Sequence, residues 1–160
     1  MRFRSTLPLI GLLLWGGASA GAVNWKPFDK GLKDAASARK YSFVDVYTQW
    51  CGYCKLLEKN TLTSEAVQKE LDKHFVSIKL DAESDEPVNW MGKHLTQREL
   101  ATHWGVEGFP TMLFLNSKGE IIGSFPSYAE ADLMINLLKY ISSGARERKV
   151  SFEDYLKEPS

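Results

Sequence analysis

The chain has 160 residues, which suits one domain rather than two. Hydrophobic residues make up 44% and charged residues 25%, a composition typical of a globular core and not of a disordered or fibrous chain. Basic and acidic residues both number 20, so the composition argues against a basic nucleic-acid-binding surface and against an acidic solvating tail.

Residues 1–20 have the three parts of a secretory signal peptide. Two arginines in MRFR precede the uncharged run LPLIGLLLWGGASA, which closes on the small residues Ala18-Ser19-Ala20. The alternative is a membrane-anchoring helix, but the run is shorter than the roughly 20 residues that span a bilayer. We therefore expect cleavage after about Ala20 and a periplasmic or secreted protein with 18 basic and 20 acidic residues.

A helix and a buried strand are predicted ahead of the two cysteines. Phe28, Leu32, Ala35 and Ala36 recur at the spacing of one helix face. YSFVDVYT is β-branched, aromatic and almost continuously apolar, which predicts a central strand over 41–47. The motif CGYC follows at once, and GYCKLLEKN begins a second helix.

A further helix, a strand and an irregular segment are predicted next. Ser64 is a candidate N-cap for the helix EAVQKELDKHF. FVSIKLD alternates between two sets of side chains, which predicts a strand over 75–81. Residues 82–95 are polar and contain proline and glycine, so we expect a loop or insertion. Within it, Trp90 and Met91 either cap the core or form a contact surface beside the site.

The C-terminal part is predicted to hold a helix, a hairpin and a closing helix. Thr96 and Glu99 have capping-box spacing at the start of a helix over 96–105. Strands at 111–116 and 120–125 flank a turn, and SYAEADLMINLLKYIS has apolar residues at helical spacing. The order α-β-α-β-α-β-β-α predicts an α/β domain over 21–144, with one mixed sheet and helices on both faces. A charged tail, 145–160, follows with one short helix around Phe152, Tyr155 and Leu156.

Cys51 and Cys54 are the only cysteines in the chain. A disulfide between them closes so small a loop that it stabilises the fold little, so the pair suits chemistry better than stability. At a helix start, free N–H groups and the helix dipole favour the Cys51 thiolate. That thiolate would attack a partner disulfide, and Cys54, one turn along, would resolve the mixed disulfide. A zinc site needs four ligands, and His74, His94 and His103 show no paired spacing.

DVYTQWCGYCK resembles the active-site segment of thioredoxin, with tryptophan before the first cysteine, glycine after it and lysine after the second. VEGFPT, further along the chain, resembles the cis-proline loop of the same family. The resemblance covers about residues 25–142. It implies a thioredoxin fold, a central mixed β-sheet flanked by helices, and a thiol–disulfide oxidoreductase that needs no cofactor or metal.

The resemblance also implies residue roles. Cys51 is the nucleophile and Cys54 the resolving thiol, while Asp45 is the buried carboxyl that handles the proton of Cys54. The alternative for Asp45, a solvated strand residue, is disfavoured by its apolar neighbours Val44 and Val46. Trp50 shields the site, and Pro110 is expected to follow a cis peptide bond beside which an extended substrate pairs. The implied substrate contacts are Trp50, Gly52, Tyr53, Phe109 and Pro110.

The sequence departs from the thioredoxin pattern in three places. Gly52-Tyr53 replaces the Gly-Pro of cytosolic thioredoxins and resembles the dipeptide of DsbC-type isomerases. Phe109 stands where small or β-branched residues are commoner. The lysine that often lies near the buried acid has no clear match, since Ser77 or Lys79 could occupy that region.

We therefore expect an exported, SoxW-like thioredoxin that reduces disulfides in protein substrates. A membrane electron donor of the DsbD type is implied by the resemblance. The chain has no room for the dimerisation domain of DsbC-type proteins, which favours a monomer. Two alternatives stay open: an isomerase or oxidase of the same fold, indicated by Tyr53, and a binding module whose disulfide is structural.

Overall fold

The computed structural model describes residues 22–157. The predicted signal peptide, 1–20, lies outside the described residues. In chain order the elements are α1 (Phe28–Ala38), β1 (Tyr41–Tyr47), α2 (Gly52–Leu56), a π-helical turn (Leu57–Thr61), α3 (Glu65–His74), β2 (Phe75–Asp81), β3 (Pro87–Trp90), β4 (Lys93–Thr96), α4 (Gln97–His103), β5 (Thr111–Leu115), β6 (Ile121–Phe125), α5 (Ala131–Ser142) and α6 (Phe152–Lys157).

A four-stranded mixed sheet in the order β2-β1-β5-β6 forms the centre of the fold. β1 is parallel to β2 and antiparallel to β5, so Asp45 has Lys79 as its neighbour on one side and Met112 on the other. Residues 42–46 of β1 are buried, because the strand is central and covered on both faces. That burial explains why its sequence is almost continuously apolar.

Two apolar clusters cover the two faces of the sheet. Phe43 of β1 joins one cluster with side chains of the π-helical turn, α3 and α5. Val44 and Val46 join the other cluster with side chains of α1 and α4. Alternate residues of a strand point to opposite faces, so the helices lie on both sides of the sheet. The predicted α/β architecture, a thioredoxin fold, is confirmed.

Of the two alternatives for residues 82–95, an irregular loop is wrong, and a second, two-stranded sheet accompanies the predicted mixed sheet. β3 and β4 pair antiparallel as a separate hairpin, joined by Met91 and Gly92, both of which have positive φ. Val88 is buried in the core, while its strand neighbour Asn89 is exposed, an alternation too short to detect among the surrounding polar residues. The hairpin is covered on one face only, which explains its largely polar composition.

Trp90, at the turn end of the hairpin, caps the core at the end of the sheet away from the cysteines. Trp90 packs on Trp104 at 5.5 Å between ring centroids, and its indole N–H donates to the Gly119 carbonyl at 2.9 Å. Gly119 lies between β5 and β6, at the opposite end of β5 from the residues that pair with the end of β1. Of the two interpretations of Trp90, capping the core is therefore the correct one, while Met91 is exposed at the turn.

Helix ends follow the sequence closely. The predicted capping box of α4 is present, with Thr96 Oγ1 accepting from the Glu99 N–H and the Glu99 carboxylate accepting from the Thr96 N–H. Ser64 stands at the N-cap of α3 but makes no side-chain capping bond. The predicted short helix of the tail is α6, which packs on Tyr140 of α5. Within residues 22–157, no helix is long and apolar enough to cross a membrane.

Candidate active site

Cys51 and Cys54 form a disulfide where β1 leads into α2, with their Cα atoms 5.3 Å apart. Cys51 is the N-cap residue of α2, and the backbone N–H of Cys54 donates to the Cys51 sulfur at 3.0 Å. A hydrogen bond to a charged acceptor is stronger than one to a neutral acceptor. The same N–H would therefore stabilise a thiolate at Cys51 once the disulfide is reduced.

Exposed aromatic side chains surround the disulfide. Each cysteine is only 4% exposed, whereas Trp50 is 66% and Tyr53 is 63% exposed. The Trp50 ring meets Phe109 edge-on with centroids 6.0 Å apart, and Tyr53 lies 6.4 Å from Tyr128. Large exposed aromatic groups next to a reactive centre are typical of surfaces that bind a protein partner.

A hydrogen bond from Trp50 and the packing of Tyr53 on Tyr128 orient this surface. The Trp50 indole N–H donates to the carboxylate of Glu83 at 2.9 Å, which ties the tryptophan to the segment after β2. Glu83 and Tyr128 were not predicted, because both are distant in the chain from the cysteines and belong to no recognisable motif. Their contact with Trp50 and Tyr53 depends on the tertiary fold.

The loop before β5 lies beside the end of β1. The peptide bond between Phe109 and Pro110 is cis, and Pro110 is buried. Thr111 pairs with Val46 across the sheet, and its hydroxyl donates to the Gly108 carbonyl at 2.7 Å. The sheet register therefore brings the proline loop close to the segment that carries Cys51.

Asp45 is fully buried in the middle of the sheet. Its side chain lies on the same face as Phe43, which contacts the cluster containing Leu57 of the π-helical turn. Neither carboxyl oxygen has a hydrogen-bond partner among residues 22–157. Burial raises the pKa of the Asp45 carboxyl to about 7, with Lys79 lowering it and Glu58 raising it. The side chain can therefore exchange a proton near neutral pH.

Lys79 is the lysine that lies next to the buried acid. The sequence left Ser77 and Lys79 as alternatives, and β2 places Lys79 directly opposite Asp45. Its ammonium forms an ion pair with Glu58 and lies 4.5 Å from the centroid of the Tyr47 ring. Glu58 was missed, although its position four residues after Cys54, one helical turn further along, was a usable signal.

The profile of the thioredoxin-like domain family matches residues 28–142. The chain belongs to this family. The matched range contains both cysteines, the buried Asp45 and the cis-proline loop.

Relatives in this family are named for disulfide chemistry. The chain is 32% identical to a protein disulfide-isomerase of Ricinus communis over 112 residues, 70% of this chain and 20% of that protein. It is also 32% identical to the thiol:disulfide interchange protein DsbD of Actinobacillus pleuropneumoniae over 111 residues, 68% of this chain and 18% of the relative. The chain thus spans about a fifth of the length of these relatives.

A solved structure of similar length also matches. A candidate disulphide-isomerase of Bacteroides thetaiotaomicron superposes with a TM-score of 0.60 at 31% identity. The match covers 77% of this chain and 95% of the solved chain.

Proposed function

We propose that this protein is an exported thiol–disulfide oxidoreductase that reduces disulfides in protein substrates through Cys51 and Cys54. The observation that carries the proposal is a disulfide at the start of a helix that follows directly on the strand in which the Asp45 carboxyl is buried. The family and the names of its relatives support disulfide exchange. The thioredoxin-like frame of Trp50, Gly52 and Asp45 favours the reductive direction.

Reduction of a substrate takes two exchange steps. The Cys51 thiolate attacks one sulfur of the substrate disulfide, the substrate S–S bond breaks, and the other substrate sulfur leaves as a thiolate. Asp45 then accepts the thiol proton of Cys54, and the Cys54 thiolate attacks the Cys51 sulfur of the mixed disulfide. The bond between Cys51 and Cys54 forms, the second substrate sulfur leaves, and two electrons have passed from the protein dithiol to the substrate.

Substrate binding is assigned to the surface around the cysteines. Trp50, Tyr53 and Phe109 would offer apolar contacts, and the backbone before Pro110 would pair with an extended substrate segment. Gly52 carries no side chain and leaves space for the incoming chain next to Cys51. Asp45 would serve as the proton acceptor, because its pKa of about 7 matches the pH at which the reaction would run.

The reduction potential of the Cys51–Cys54 pair tests the direction of electron flow. Thioredoxin lies near about −270 mV and the oxidant DsbA near about −120 mV. We expect equilibration with glutathione to give a value nearer the first, because an ionised Asp45 disfavours a thiolate in the reduced pair. A value nearer −120 mV would contradict the reductive direction.

The second candidate is an isomerase or oxidase of the same fold. Tyr53 between the cysteines favours it, as do the relatives named disulfide isomerases. A potential near that of protein disulfide isomerase, about −180 mV, would support this alternative.

A reductase in an oxidising compartment needs a dithiol donor, for which we propose a membrane protein of the DsbD type.

Export is tested at the N-terminus. Expression of the full chain in a Gram-negative bacterium is expected to yield a periplasmic protein that begins close to Gly21, because residues 1–20 have signal-peptide features. N-terminal sequencing of the protein released from the periplasm checks both points. Recovery of the intact chain in the cytoplasm or the membrane would contradict export. Analytical ultracentrifugation of the same material tests the proposed monomer.

A further inference from the structure

Lys79 is ion-paired with Glu58 although a second carboxyl is its direct neighbour in the sheet. Asp45 and Lys79 are register partners on parallel strands, and both side chains lie on the face that carries the π-helical turn. Yet the Lys79 ammonium bonds to Glu58, and neither oxygen of Asp45 has a hydrogen-bond partner among residues 22–157. Two carboxyl groups therefore compete for one ammonium, and the one closer to solvent holds it.

The groups around Asp45 come from each element packed against it. β2 presents Lys79, and the π-helical turn presents Glu58. β1 itself presents Tyr47, whose ring lies under the Lys79 ammonium, while β5 presents the apolar Met112. Burial is the main cause that raises the pKa of the Tyr47 hydroxyl, and the charge of Asp81 raises it further. Lys79 is thus the cation among these groups.

Lys79 also faces a solvent-open groove of about 580 Å³. The groove is lined by side chains from the segment before α1, from β1, from β2 and from the hairpin, among them Trp25, Tyr47 and Lys79. The Lys79 ammonium lies 5.3 Å from the Trp25 ring centroid and 4.5 Å from that of Tyr47. Two aromatic rings and Glu58 together hold the ammonium at the groove and leave Asp45 unbonded.

The position of Lys79 decides how strong a base Asp45 is. A direct bond from Lys79 would stabilise the carboxylate, and a carboxylate that strongly prefers to be ionised is a poor acceptor for a thiol proton. With the ammonium held by Glu58, burial dominates and the pKa of Asp45 is raised to about 7.

We propose that Glu58 is a positioning residue that holds Lys79 away from Asp45 and thereby keeps Asp45 able to accept the Cys54 proton. In this role Glu58 acts through Lys79. The inference rests on the proposed function for its consequence, because proton transfer from Cys54 matters only if the pair turns over.

The test is a titration of the Asp45 carboxyl by ¹³C NMR on the oxidised protein. The Asp45 signal is assigned by its loss in Asp45→Asn. Glu58→Gln removes the negative charge that holds Lys79, and Glu58→Ala also removes the side-chain oxygen that glutamine keeps as an acceptor. In both variants Lys79 is free to bond Asp45. We expect the pKa of Asp45 to fall by about 1 unit or more. Glu65→Gln removes an exposed carboxylate of α3 and should leave the Asp45 titration unchanged.

The Lys79→Gln background separates action through the lysine from direct repulsion. In the Lys79→Gln background, adding Glu58→Gln should shift the pKa of Asp45 by less than a third of the shift that Glu58→Gln causes in the wild type. An equal shift in both backgrounds, or no shift from either Glu58 variant, would overturn the proposal.

Single-turnover reduction of insulin by the reduced protein gives the functional readout. The pH at which the rate reaches half its maximum should move in Glu58→Gln in the direction of the NMR shift and stay in place in Glu65→Gln. A wild type that titrates as expected but does not reduce insulin would contradict the proposed function alone. A wild type that reduces insulin with a profile unmoved by Glu58→Gln would contradict this inference alone.

Discussion

Replacing Cys51 with serine is expected to lower the rate of insulin disulfide reduction on the order of 10³-fold or more. A serine hydroxyl stays protonated near neutral pH, so neither the Cys54 N–H nor the start of α2 can stabilise an anion there. The variant should fold, because the lost disulfide closes a loop of four residues and stabilises the fold little. Turbidity of insulin with dithiothreitol measures the rate after subtraction of the uncatalysed reaction.

Cys54→Ser is the matched control, since it removes the same bond and leaves the nucleophile. It should still attack substrate disulfides and accumulate mixed disulfides at Cys51, visible as higher-mass species by non-reducing electrophoresis and mass spectrometry. If Cys51→Ser reduced insulin at half the wild-type rate, Cys51 would not be the nucleophile. If the double serine variant kept its activity toward partners, the binding-module alternative would be correct.

Replacing Asp45 with asparagine is expected to stabilise the oxidised protein at about pH 8 and to change its stability little at about pH 4. The unfolded chain ionises this carboxyl near its ordinary pKa of 3.8, whereas the folded protein does so at about 7. Between these values the folded state holds the extra proton, so the contribution of Asp45 to stability is present below about pH 4 and is lost as the pH rises to about 7. Asparagine removes this loss, on the order of 4 kcal/mol.

Urea denaturation of wild type and Asp45→Asn at both pH values measures the difference. Asp72→Asn is the control, because it removes an exposed carboxyl from α3 and should show no such pH-dependent gain. Equal stability of wild type and Asp45→Asn at about pH 8 would mean that Asp45 ionises in the folded protein at its ordinary pKa. In that case burial would not supply the base that the proposed mechanism needs.

Local signals predicted much of the fold. β1 has the predicted bounds because burial of a central strand leaves an almost uninterrupted apolar run, and β2 has them because its side chains alternate. α4 has its capping box because the two residues involved are three apart in the chain. The hairpin of β3 and β4 was not predicted, because its strands are only four residues long and are covered on one face. A short alternation of that kind resembles the polar composition of a loop.

The sequence by itself determined which residues carry the proposed chemistry: two cysteines at the junction of a strand and a helix, with an acid on the strand and a proline loop downstream. Only the tertiary structure decided which side chains lie next to Asp45 and around the cysteines. Lys79 rather than Ser77 is the polar neighbour of Asp45 because the register of parallel strands pairs them, and Tyr128 reaches Tyr53 only through the fold. The charge and proton affinity of Asp45 follow from burial and from competition for one ammonium, which depend on contacts between distant segments and not on the local pattern of residues.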